Sequence, residues 1–206
     1  MPIPVRKFMF LCGTVLCLWL SAAAPSYAGP CTEQQEAPGI FVPVRGCYDL
    51  GIGYQYQHFS VFGTTFHNND YNVVFGMHLF DLDTGAEGRM TARIEGAVTA
   101  GFGGHAGGNP AVPVKSVFLG AGPHIAIVSK SRFEPWIHGL AGWERLRLQT
   151  ATVGASSALG FMVGGGVDIR LAPLIYWRFQ ADYLGTNFQS SLQSNYSFGS
   201  GIILYF

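Results

Sequence analysis

The sequence predicts an all-β fold: an eight-stranded antiparallel up-and-down barrel with an apolar outer wall, suited to crossing a membrane. Three observations carry that expectation. The chain divides into eight stretches of about 10–14 residues with period-2 alternation, the spacing of strands rather than helices. It is rich in hydrophobic (49%) and aromatic (14%) residues and poor in charged ones (12%). Yet beyond residue 28 it has no run of about 18 apolar residues, so helical membrane spans are excluded. Finally, charges of both signs gather on one face of several strands, and the opposite faces carry almost none.

In the first strand Tyr48, Leu50, Ile52, Tyr54 and Tyr56 alternate with Asp49, Gly51, Gly53, Gln55 and Gln57. The second, near 71–80, sets Tyr71, Val73, Phe75, Met77 and Leu79 against Asn72, Gly76 and His78. In the third, Met90, Ala92, Ile94, Val98, Ala100 and Phe102 oppose Arg89, Thr91, Arg93, Glu95 and Thr99. The fourth, near 114–128, opposes Val117, Leu119, Ile125 and Ile127 to Ser116, Gly120, Gly122 and His124. The fifth, near 133–148, is ambiguous: Ile137, Ala141 and Trp143 compete with Trp136, Leu140 and Leu146 for the outer face. The reading preferred here turns His138 and Glu144 inward.

The sixth strand, near 159–171, sets Phe161, Val163, Val167 and Ile169 against Gly160, Gly164, Gly166, Asp168 and Arg170. The seventh, 175–185, sets Trp177, Phe179, Ala181 and Tyr183 against Arg178, Gln180 and Asp182. The eighth runs from about Ser194 to Phe206. Connections at 81–88, 129–132 and Ala172-Pro173 read as short turns. Those at 60–70, 103–113, 149–158 and 186–193 read as longer loops, an alternation typical of outer-membrane barrels.

The ends of the chain suggest a compartment. Arg6 and Lys7 precede an apolar run, 8–20, and Ser26-Tyr27-Ala28 has the small-x-small pattern of a cleavage site, as in a secretory signal peptide. Pro30 before Cys31 does not suit lipidation. The expected organisation is a signal peptide (1–28), an N-terminal periplasmic segment (29–45) and the barrel (46–206). Past residue 28 there are ten basic and twelve acidic residues, which gives no electrostatic case for nucleic acid. Cys31 and Cys47, with fifteen residues between them, can form a disulfide in an oxidising compartment. It would contribute about 3 kcal/mol in the chain-entropy model. The terminal strand, with Gly201, Leu204 and Phe206, resembles the C-terminal signal read by the barrel-assembly machinery.

Charges of both signs in a dry core are costly unless paired. This argues against a soluble cup with an apolar interior. Turned into a narrow lumen, Arg93, Glu95, Asp168, Arg170, Arg178 and Asp182 can pair across strands. Eight strands enclose a space that side chains just fill, so a plugged lumen without an open pore is expected. Tyr54, Tyr56, Tyr71, Phe102, Trp177, Tyr183 and Tyr205 are expected in aromatic girdles.

Several segments together resemble the OmpA-like eight-stranded outer-membrane β-barrel proteins. They are Leu50-Gly51-Ile52-Gly53-Tyr54, Asn69-Asp70-Tyr71-Asn72-Val73, the glycine-rich sixth strand from Gly164 to Arg170, Arg178-Phe179-Gln180-Ala181-Asp182-Tyr183, and the last strand. The resemblance spans nearly all of the chain past residue 28. It implies a monomeric outer-membrane barrel among lipids and lipopolysaccharide, without catalysis or cofactor, serving envelope integrity, adhesion or host interaction. The peptidoglycan-binding domain of full-length OmpA proteins is not found in the sequence, so a cell-wall tether is not expected.

Other chemistry finds little support. His58-x-Ser60 is the one close histidine–serine pair that a lipid A deacylase could use. The glycines of 101–106 mimic a dinucleotide fingerprint, but a loop breaker rather than a helix follows. The six histidines lack metal-ligand spacing, although His67 and His105 could meet if the loops converge. The alternatives kept are a narrow passive channel governed by Arg93 and Glu95, and, less favoured, a lipid A-modifying enzyme.

Overall fold

A computed structural model describes residues 46–61, 64–83, 88–106, 112–129, 131–148, 155–188 and 191–206. The expected signal peptide and the whole of the segment after it, Cys31 included, lie outside the described residues. Cys47 is disulfide-bonded.

The described residues form eight strands: β1 (Tyr48–Val61), β2 (Thr64–Asp83), β3 (Gly88–Ala106), β4 (Val112–Ser129), β5 (Phe133–Leu148), β6 (Ala155–Ala172), β7 (Ile175–Phe188) and β8 (Ser191–Tyr205). Each pairs antiparallel with the next, and β1 pairs with β8 to close the barrel. Closure is sealed where Tyr48 and Phe206 exchange backbone hydrogen bonds of 3.0 and 2.9 Å. With no free edge, the ladder satisfies the strand backbone internally, as a hydrocarbon environment requires. Gly201 permits the close approach of β1 to β8. A Cβ there would lie 2.6 Å from the Ile52 carbonyl oxygen and 2.7 Å from the Gly53 Cα.

Alternation sorts the side chains cleanly. Leu50, Ile52, Tyr54, Val73, Ile94, Leu119, Trp143, Phe161, Trp177 and Ile202 lie exposed on the outer wall, while Arg93, Glu95, Asp168, Arg178 and Asp182 are buried inside. This is the reverse of a soluble barrel. On β5, His138 and Glu144 do face inward, but so do Trp136, Leu140 and Leu146, leaving Ile137 and Trp143 outside. The strand carries apolar side chains on both faces because part of the lumen is itself filled with them.

Two expectations need correction. Tyr205 is not a girdle residue: it is 2% exposed and points into the lumen with Ile203, as its odd position beside outward Leu204 and Phe206 dictates. The long loops expected at 60–70 and 186–193 are mostly strand. Paired ladders continue to Val61↔Thr64 and Phe188↔Ser191, so serine, threonine and asparagine that read as loop are strand extensions. The strands run from 14 to 20 residues, longer than the roughly 9–11 that cross a bilayer. The excess extends the barrel at the end away from Phe206, here called the loop end.

Candidate functional site

The polar centre of the molecule is a charge network across the lumen, built from inward positions of seven strands. Arg178 on β7 donates to Asp168 on β6 through two parallel bonds, Nε to Oδ1 and Nη2 to Oδ2, each 2.9 Å. Its Nη1 reaches Glu95 Oε2 on β3 at 3.3 Å. Such forked, charge-assisted pairs are the strong class of hydrogen bond. The guanidinium also lies 4.4 Å from the centroid of the Trp136 ring, whose Nε1 donates to Asp168 at 2.9 Å.

His138 on β5 extends the network. Its Nδ1 lies 2.8 Å from Glu95 Oε1 and its Nε2 3.2 Å from Asp182 Oδ1. Imidazolium, a donor at both nitrogens, satisfies both carboxylates at once. Asp182 also accepts from Gln55 and Gln180 at 2.9 Å and from Ser197 at 3.4 Å. Nearer the chain ends, Arg93 donates to Asp49 and sits 4.6 Å from the Tyr205 ring centroid. Tyr205 in turn meets the Tyr176 ring edge-on at 4.9 Å. His124 packs on Trp136 at 5.1 Å and lies 3.9 Å from Glu95.

Of the six charged residues expected here, Glu95, Asp168, Arg178 and Asp182 meet in one cluster, and Arg93 joins it through Tyr205, whose hydroxyl donates to Asp168 at 3.5 Å. Arg170 is placed differently. It is half-buried at the rim, where its Nη2 donates to the Ser131 carbonyl at 2.9 Å. The β6–β7 register shifts between Arg170 and Ala172, where the strand leaves the filled lumen for a tight turn. Asp49, His124, His138, Trp136 and Tyr205 were not in the expected set. For Asp49 and His124 the signal was present, since their alternation already put them on the polar face.

Toward the loop end the lumen changes character. Phe118, Leu140, Met162 and Leu184 are buried there in one apolar cluster. The Phe118 ring takes the room left by Gly120 and Gly142, since a Cβ at these positions would lie 2.6 and 2.9 Å from its Cζ. Also in this half, Asp70 and Glu144 are fully buried, and no basic side chain forms an ion pair with either among the described residues. Asn68 donates to Ser116 at 2.7 Å nearby.

The remaining expected residues are on the barrel wall. Leu204 and Phe206 face outward, and Gly201 faces the lumen opposite Gly53 and Arg178. His67 does not stand free for a loop partner: its Nδ1 is 3.3 Å from that of His58, directly across the β1–β2 ladder. The side chains of His105 and Ser60 lie outside the described residues. Among the described residues no group of three or more His, Cys, Asp or Glu side chains is arranged to hold a metal ion.

No protein-family model matches the sequence, and no curated protein matches it. Solved structures do. Neisserial surface protein A superposes with a TM-score of 0.64 at 12% identity, covering 78% of this chain and 98% of its own. The attachment invasion locus protein of Yersinia pestis gives 0.48 at 10% identity, covering 78% of this chain and 99% of its own. The N-terminal β-barrel domain of Pseudomonas aeruginosa OprF gives 0.44 at 11%, over 76% of this chain and 97% of that domain. In strand number, closure and inside-out polarity, the chain has the fold of the small eight-stranded outer-membrane β-barrels of bacteria.

Proposed function

We propose that this protein is a closed, non-conducting, monomeric outer-membrane barrel. Its role is structural or adhesive, exerted through its outer wall and the strand extensions at the loop end rather than through catalysis. The observation that carries this reading is the network around Arg178, which ties β3, β5, β6 and β7 together across the lumen. An ion crossing there would have to displace paired charges in a narrow space, which is expensive. The surroundings suited to such a barrel are membrane lipids and lipopolysaccharide, with the assembly machinery acting on the terminal strand during insertion.

The second reading, a narrow passage for small cations, draws support from Asp70 and Glu144, two buried carboxylates in the loop-end half. Single-channel recording in planar bilayers separates the two. The closed reading expects no steps above baseline in neutral salt. Cation-selective steps that vanish in Asp70→Asn or Glu144→Gln would replace it with the channel.

A further inference from the structure

We propose that the loop-end rim of β4 and β5 is a binding site for the phosphorylated headgroup of an acylated membrane lipid. This rests on the membrane reading above. Among the described side chains facing outward from the strands, three are charged, and all three are cations: Lys115, Arg145 and Arg147. They sit together on two neighbouring strands. Lys115 is directly opposite Arg147 in the ladder, and Arg145 is opposite Val117 on one side and Ser157 on the other.

Like charges directly opposite across a sheet repel. None of the salt bridges among the described residues engages these three. The next outward position below is apolar: Leu119, Trp143 and Leu159 pair in register and are all exposed. Two residues of strand, about 7 Å, thus separate a band suited to acyl chains from a cluster suited to an anion. An amphiphile with phosphate above and acyl chains below matches both levels. Arginine forks onto phosphate oxygens, lysine adds a point charge, and Ser157 stands beside Arg145 as a further polar neighbour. Among the described residues elsewhere on the same rim, the outward positions hold no lysine or arginine and include Tyr56, Leu192, Tyr196 and the His58–His67 pair, so the cations are not a uniform ring of snorkelling side chains.

The test uses the full chain in phosphatidylcholine nanodiscs doped with bis-phosphorylated lipid A or with lipid A stripped of phosphate. Native mass spectrometry counts the retained lipid. The expected result is a preference of about tenfold or more for the phosphorylated form. The preference should be lost in Lys115→Gln/Arg145→Gln/Arg147→Gln, with that variant still shifting in gel mobility on boiling. Equal retention of both lipids, or a triple variant that keeps the preference, overturns the site. So does complete displacement by millimolar inorganic phosphate or a soluble sulfated sugar, which would make it a site for free anions. A chain that never enters the discs sinks the membrane reading; one that enters without preference sinks only this proposal.

Discussion

Arg178 and Asp168 are directly opposed on neighbouring strands and joined by two parallel hydrogen bonds of 2.9 Å. The pair is fully buried, and Glu95 and Trp136 complete the guanidinium's surroundings. A charge held this way is stable only while its partners remain, and that makes the network open to dissection.

Removing one partner should be costly. Glu95→Ala would leave Arg178 and His138 facing a void where a carboxylate accepted from both. The expected loss is about 3–5 kcal/mol of unfolding free energy, read from denaturant unfolding in detergent micelles. Glu95→Gln keeps the shape and an acceptor oxygen, so it should lose less. Unchanged stability in the alanine variant would mean that Glu95 does not anchor the network.

Removing both partners should cost less than the sum of the parts. Arg178→Met and Asp168→Asn each strand a buried charge, whereas the double variant strands neither within that pair. The double-mutant cycle should give a coupling of about 1–3 kcal/mol. Strict additivity would mean that the two side chains act independently.

Packing around the network can be tested with glycine. A Cβ at Gly164 would run into the Asp182 carboxylate and lie 2.7 Å from the Ala181 carbonyl oxygen, whereas one at Gly139 meets nothing within 4 Å. Gly164→Ala should therefore cost about 1–3 kcal/mol by overpacking, and Gly139→Ala should be neutral or mildly stabilising. Thermal melts of the two variants side by side make the comparison. Equal melts would show that Asp182 moves aside freely.

The fold was legible because alternation survives in nearly every strand: Asp49 beside Leu50, Arg93 beside Ile94, and Arg178 beside Trp177 each announce two faces. The same cue weakened at β5, where Leu140 and Leu146 fill the apolar half of the lumen and interrupt the polar face that His138 and Glu144 share. It also misled at the loop end. Thr64, Thr65, Asn68 and Asn69 have turn-like composition, but the β1–β2 ladder holds them extended. Partner choice in the site was least legible. That Arg93 meets Asp49, and His138 meets both Glu95 and Asp182, depends on barrel closure and strand stagger, which bring together residues more than 40 positions apart.

The central claim, that the apolar wall faces lipid and the charged face fills the lumen, is tested most directly by tryptophan quenching. Trp143 and Trp177 lie on the outer wall, and Trp136, 3% exposed, lies inside. Single-tryptophan variants, with phenylalanine at the other tryptophans, would be refolded into vesicles of lipids with brominated acyl chains. Strong quenching of Trp143 and Trp177 with Trp136 unaffected is the predicted result. Quenching of Trp136 with Trp143 and Trp177 spared would contradict the account and mean that the two faces are assigned backwards.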